Sequence, residues 1–195
     1  MGLIMMYIES MILYMIVAIP FYIICRIIFI KKKRKHVKIL HEIVLASFIL
    51  YIVGLASQTI IPQWDIGIIS DTGKFYFNVN ITNDIAQVNL IPFKTLYQYL
   101  FQTNANVDSW SVVSLLNITG NILLFSPIGF FVPLFWGNWR SFRKILLLGL
   151  AVTCFIEVIQ LFIGRSTDID DVILNTIGVM IGYGIFSLLK FNRKQ

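Results

Sequence analysis

Five apolar runs dominate the pattern along the chain, near 3–30, 39–61, 112–136, 145–163 and 172–189. Each is long enough, at about 1.5 Å per residue, to cross a hydrocarbon core of roughly 30 Å as a helix. The first exceeds that need, which predicts a tilted or protruding helix. No basic residue precedes it and no small-residue cleavage site follows, so it is expected to stay as a membrane helix. Between the second and third runs, 62–110 is long for a connection without structure of its own. Within it Phe75, Phe77, Val79 and Ile81 alternate with Tyr76, Asn78 and Asn80, predicting a short strand with one face covered. Further on, Phe93, Leu96, Tyr97, Leu100 and Phe101 recur at helical spacing just after Pro92, with Lys94, Gln98 and Gln102 elsewhere. That spacing predicts a helix over 93–102 lying at the membrane interface. The expected fold is all-α: a polytopic helical membrane protein with about five transmembrane helices and one extracellular interfacial helix. It forms a single membrane domain over 1–195.

Composition agrees and narrows the function classes. The chain is 57% hydrophobic and only 13% charged, against about 25% charged in ordinary soluble domains. Cys25 and Cys154 both lie in apolar runs, which argues against a disulfide scaffold. The net charge of +6 suggests nucleic acid until its distribution is considered. Lys31, Lys32, Lys33, Arg34, Lys35 and Lys38 sit between two apolar runs, where they serve as a topology anchor facing anionic headgroups. No nucleic-acid partner is expected. With that cluster in the cytoplasm, thirteen Lys and Arg residues fall inside and three (Lys74, Lys94 and Arg165) outside. The bias orients the N-terminus outside and the C-terminus in the cytoplasm.

Polar side chains inside a span cost roughly 2–3 kcal/mol or more at the bilayer centre, so each needs a reason. Glu157 lies about 9 Å below the outer end of the fourth span, and Gln160 shares its face. Asn117 and Asn121 share a face of the third span, and Asn175 aligns with Asp171 on the fifth. At this orientation all five lie in the outer half of the membrane, capped by Arg165 and by Asp168, Asp170 and Asp171. The expectation is one outward-facing polar intramembrane cavity between spans three, four and five. The competing reading is a set of interhelical hydrogen bonds that hold the bundle together. Pro127 and Pro133 predict a kink in the third span, with the freed carbonyls satisfied by neighbouring helices. Gly178 and Gly182 predict close packing along the fifth.

Several motifs together resemble the VanZ-like family over about 45–188. They are Asn89-Leu90-Ile91-Pro92-Phe93, Asn117 with Gly120-Asn121-Ile122-Leu123-Leu124-Phe125, and Pro127-Ile128-Gly129. Glu157-Val158-Ile159-Gln160 follows, then Arg165, Asp168, Asp171, Asn175 and Gly178 in the family's order and spacing. The resemblance implies a small helical membrane protein in bacteria, associated with reduced susceptibility to teicoplanin-type glycopeptide antibiotics. Its recurring residues are Asn117, Asn121, Glu157, Gln160, Arg165, Asp168, Asp171 and Asn175, the set that membrane energetics also selects. Asp170 is an extra carboxylate outside the family pattern.

Three function classes remain open at this stage. In the first, a non-enzymatic envelope factor binds membrane lipid or a lipid-linked cell-wall component, and the glycopeptide is affected indirectly. The helix over 93–102 would form its lid. In the second, a membrane enzyme acts on a lipid phosphate, with Mg²⁺ or Mn²⁺ on Asp168, Asp170, Asp171 and Glu157 and with Arg165 on the phosphate. Against the metal, acidic residues at the start of a span are explained by helix capping, so neither metal nor cofactor is expected. His36 and His41 fall on the cytoplasmic side, so no imidazole reaches the cavity to activate a nucleophile. In the third, Glu157 relays protons in a transporter subunit.

Overall fold

The computed structural model describes residues 2–33, 38–80, 88–104 and 110–192. Arg34, Lys35, Arg193 and Lys194 of the basic clusters lie outside the described residues, as does Ile81. Among the described residues, five helices are long and apolar enough to cross a membrane. They are α1 (Gly2–Lys33), α2 (Ile39–Thr59), α4 (Trp110–Phe135), α5 (Phe142–Phe162) and α6 (Ile169–Asn192), with a short α3 (Lys94–Phe101) between α2 and α4. The helices overrun the apolar runs by up to three residues. Polar ends such as Lys31–Lys33 and Asp170–Asp171 continue a helix readily once it has left the hydrocarbon. The chain divides into two compact units, Met1–Asn80 and Ile81–Gln195.

The first unit contains α1 and α2, which pack as a hairpin. Arg26 and Glu42 form a bidentate ion pair at 2.5 and 2.6 Å near its connection. Gly54 lets α1 come close: a Cβ there would stand 2.9 Å from Met11 Cε. After α2 the chain forms β1 (Gln63–Ile68), which pairs antiparallel with β2 (Phe75–Asn80). Only β2 was expected. In β1, Asp65 and Gly67 break up the apolar signal, although the alternation is the same. The covered face expected for β2 is a correction: Phe75 is 67% and Phe77 60% exposed.

The second unit is built on the contact between α4 and α6, which is backbone on backbone. A Cβ on Gly129 would stand 1.7 Å from Val179 O, one on Gly182 1.8 Å from Ser126 O, and one on Gly178 2.3 Å from Ile122 O. Such an approach allows Cα–H···O contacts and dense packing, which substitute for the hydrophobic driving force that lipid removes. On the far side of α6, Gly149 of α5 faces Val179, and Thr153 of α5 lies 3.4 Å from Thr176, oxygen to oxygen. The carbonyl freed by Pro127 is met within its own helix, where Ser126 Oγ donates to Leu123 O at 3.0 Å. A neighbouring helix was expected there. A serine beside the proline is close enough to serve locally.

Candidate functional site

At one end of the second unit, the end of α5 and the starts of α3 and α6 come together. Gly164, at φ 74°, ends α5 in the left-handed region, and Arg165 N donates to Gln160 O at 2.9 Å. This six-to-one bond is a Schellman stop, and it turns the chain after two residues into β4 (Thr167–Asp168). There β4 pairs parallel with β3 (Val88–Asn89). The short bridge fixes Asn89, Asp168 and the helices that follow each of them.

Asp168 caps α6, its Oδ1 accepting from Asp170 N at 2.9 Å. In an ordinary capping box the third helical residue would reach back to the cap's own N–H. That residue is Asp171, but it turns to α4 and accepts from Asn121 Nδ2 at 2.7 Å. Glu157 of α5 takes its place, Oε2 accepting from Asp168 N at 2.9 Å. The other Asp168 contacts run to the second unit's first segment. Asn89 Nδ2 donates to Oδ1 at 3.1 Å, and the Thr95 hydroxyl donates to Oδ2.

Asp170 belongs to α6 but caps α3. Its Oδ1 accepts from Phe93 N at 2.5 Å and its Oδ2 from Leu96 N at 3.0 Å. Phe93 stands at the N-cap of α3 with φ 65° and no side-chain cap of its own. A left-handed conformation costs a non-glycine residue roughly 1–2 kcal/mol, and the carboxylate on its N–H holds it there. Two positive helix ends thus meet the carboxylates of Glu157, Asp168 and Asp170, which is the electrostatic reason Glu157 and Asp170 can be buried.

Of the residues selected from the sequence, Asn121, Glu157, Arg165, Asp168 and Asp171 converge here. Glu157 is 5% exposed, with Asp168, Asp171 and Arg165 within its electrostatic reach. Gln160, three residues nearer the end of α5 than Glu157, and Asn175, one turn deeper in α6 than Asp171, are also buried. Among the described residues, Asn175 Oδ1 is buried without a hydrogen-bond partner. Asn117 does not join them: it is exposed, and its Nδ2 donates to Val113 O of its own helix at 3.0 Å. Asp171, read from the sequence as a cap, bonds a neighbouring helix instead. Of the acids weighed as a Mg²⁺ site, Asp168, Asp170 and Glu157 each put an oxygen on a backbone N–H at a helix start and Asp171 puts one on Asn121. Among the described residues no group of three His, Cys, Asp or Glu is arranged to hold a metal ion.

Sequence reasoning set Asp170 aside and overlooked Asn89, Thr95 and Tyr99 as site residues. A signal for the first existed. The helix after Pro92 opens on Phe93, which has no oxygen to cap it, so an acceptor must come from elsewhere. Tyr99 of α3 packs against Trp110 with ring centroids 5.5 Å apart. Burial, reinforced by the charges of Asp171 and Asp168, pushes its hydroxyl above the usual tyrosine range. It therefore stays a neutral donor beside the acidic cluster.

No curated protein and no solved structure matches the chain. The profile of one family does match, over residues 48–190, most of the chain and all of the residues just described from Asn89 to Asn175. The chain is a multi-pass membrane protein and belongs to the VanZ/LLP1 family.

Proposed function

We propose that this protein is a bacterial cell-membrane factor that lowers susceptibility to teicoplanin-type glycopeptides by holding a lipid or lipid-linked envelope component at the polar end of its second unit. The carrying observation is the excess of buried acceptors there. Glu157 is a buried carboxylate with one oxygen on Asp168 N, Asp171 is a partly buried one held by Asn121, and Asn175 Oδ1, at 3% residue exposure, has no donor among the described residues. A buried acceptor without a donor costs about 1–3 kcal/mol, so the site favours a headgroup rich in hydroxyl or amine donors. Arg165 beside Glu157 supplies a fork for the phosphate or carboxylate of the same headgroup. The antibiotic itself is affected indirectly, through what the factor does to the outer leaflet.

The orientation that goes with this reading puts the site outside, with the N-terminus outside and the C-terminus cytoplasmic. Cysteines introduced at 71 and 167 are expected to react with an impermeant maleimide on intact cells, and those at 34, 140 and 193 are not. Reaction at 34 would turn the polar end toward the cytoplasm and remove the outer-leaflet role.

The function is tested by expression in a susceptible Gram-positive host. Tolerance is expected to rise more for teicoplanin than for vancomycin, and Glu157→Gln should abolish that rise at unchanged membrane abundance. Glutamine keeps an acceptor for Asp168 N and loses only the charge. Arg165→Lys should also impair tolerance, because an ammonium lacks the planar fork. Full teicoplanin tolerance in Glu157→Gln would return the residue to helix capping alone.

A further inference from the structure

The β1–β2 hairpin carries a separation of chemistry that the rest of the molecule does not use. Its register pairs Trp64 with Val79, Ile66 with Phe77 and Ile68 with Phe75. Directly opposed residues of an antiparallel pair share a face. The six apolar positions therefore fall on one side, and Gln63, Asp65, Gly67, Tyr76, Asn78 and Asn80 on the other. On the polar side the Tyr76 ring lies over Gly67, where a Cβ would stand 2.7 Å from its Cε1. On the apolar side Ile68, Phe75 and Phe77 are each more than half exposed.

A two-stranded hairpin is marginally stable by itself in water, so an apolar face of this kind needs a cover. The chain says what is within reach. β1 begins only three residues after α2 ends at Thr59, and those residues are Ile60, Ile61 and Pro62. Fully extended, three residues span roughly 10 Å, so the base of the hairpin stays close to the end of the membrane-crossing helix α2. Aromatic and branched side chains are favoured at that depth, where apolar bodies meet lipid tails and backbone groups stay hydrated.

We propose that the hairpin is a membrane-interface anchor, its Phe75–Phe77–Val79 face seated in the lipid at the end of α2. The lipid surface thus covers the exposed side chains of Ile68, Phe75 and Phe77, and the anchor holds the exit angle of α2.

Full-length protein in vesicles, with Cys25 and Cys154 replaced by alanine, carries an environment-sensitive nitrobenzoxadiazole label at Phe77→Cys, Phe75→Cys or Asn78→Cys. Labels at 77 and 75 are expected to resist iodide by several-fold relative to 78, and to be quenched by lipids brominated near the top of the acyl chain. Equal iodide quenching at 75, 77 and 78 would overturn the proposal. So would shielding from iodide at 75 and 77 without quenching by brominated lipid, which would mean that protein covers the face.

Discussion

Alanine at Gly129 or Gly182 is expected to remove most of the folded protein from the membrane, with no change to any polar group of the site. At both positions the added methyl would lie inside 2 Å of a backbone carbonyl, Val179 O or Ser126 O. Neither oxygen can rotate away, so α4 and α6 must separate along their whole contact. Overpacking of a tight core costs about 1–3 kcal/mol when side chains can shift, and a backbone obstacle places these variants at or above that range. Gly178→Ala, with its carbonyl at 2.3 Å, should rank next. Gly120 and Gly184 have nothing within 4 Å of their would-be Cβ, so alanine there should be neutral or stabilising through helix propensity. Thermal stability read by size-exclusion fluorescence checks the order. Equal melting of Gly182→Ala and Gly184→Ala would contradict this description of the helix contact.

Asp170→Ala should have the second largest effect, confined to one segment. At 1% exposure the carboxylate has no solvent to replace it, and its loss leaves Phe93 N and Leu96 N without their acceptor. Each hydrogen bond to the charged carboxylate is worth about 1.5–3 kcal/mol, more than an eight-residue helix gains from its own backbone. The expected result is loss of hydrogen-exchange protection over 93–101, while α4, α5 and the later turns of α6 keep theirs. Asp170→Asn should fall between, since its amide keeps one acceptor oxygen but repels an N–H with the other end. Unchanged exchange over 93–101 in Asp170→Ala would show that packing alone holds α3.

The apolar spans could be read from the sequence to within about a turn, because a bilayer imposes a simple rule on length and polarity. Glu157, Asn121, Asp168 and Asp171 were legible for the same reason: a polar group in that setting must answer to something. What sequence periodicity could not reveal was the partner. Asp170 satisfies the start of α3, 77 positions upstream, and no spacing rule links the two. Glu157 stands where a capping box would draw an acid from α6 itself. Asn117 misled because a shared helix face with Asn121 says nothing about which neighbour lies opposite. In β1 the alternation was present, but Asp65 and Gly67 diluted it below notice until the pairing with β2 made the face visible.

The cap lent by Asp170 also sets an order of events during synthesis. A ribosome adding about 5–20 residues per second completes Phe93 several seconds before it reaches Asp170. Through that interval α3 has no acceptor for its first amides, Phe93 has nothing to hold its left-handed backbone, and β3 lacks the strand it pairs with. All three are supplied together by the stretch from Thr167 to Asp170, as the last span begins to emerge. The 88–104 segment is therefore expected to be the last part of the second unit to order. A nascent chain stopped before Asp170 would carry that segment open to proteases, even with the two preceding spans already in the membrane.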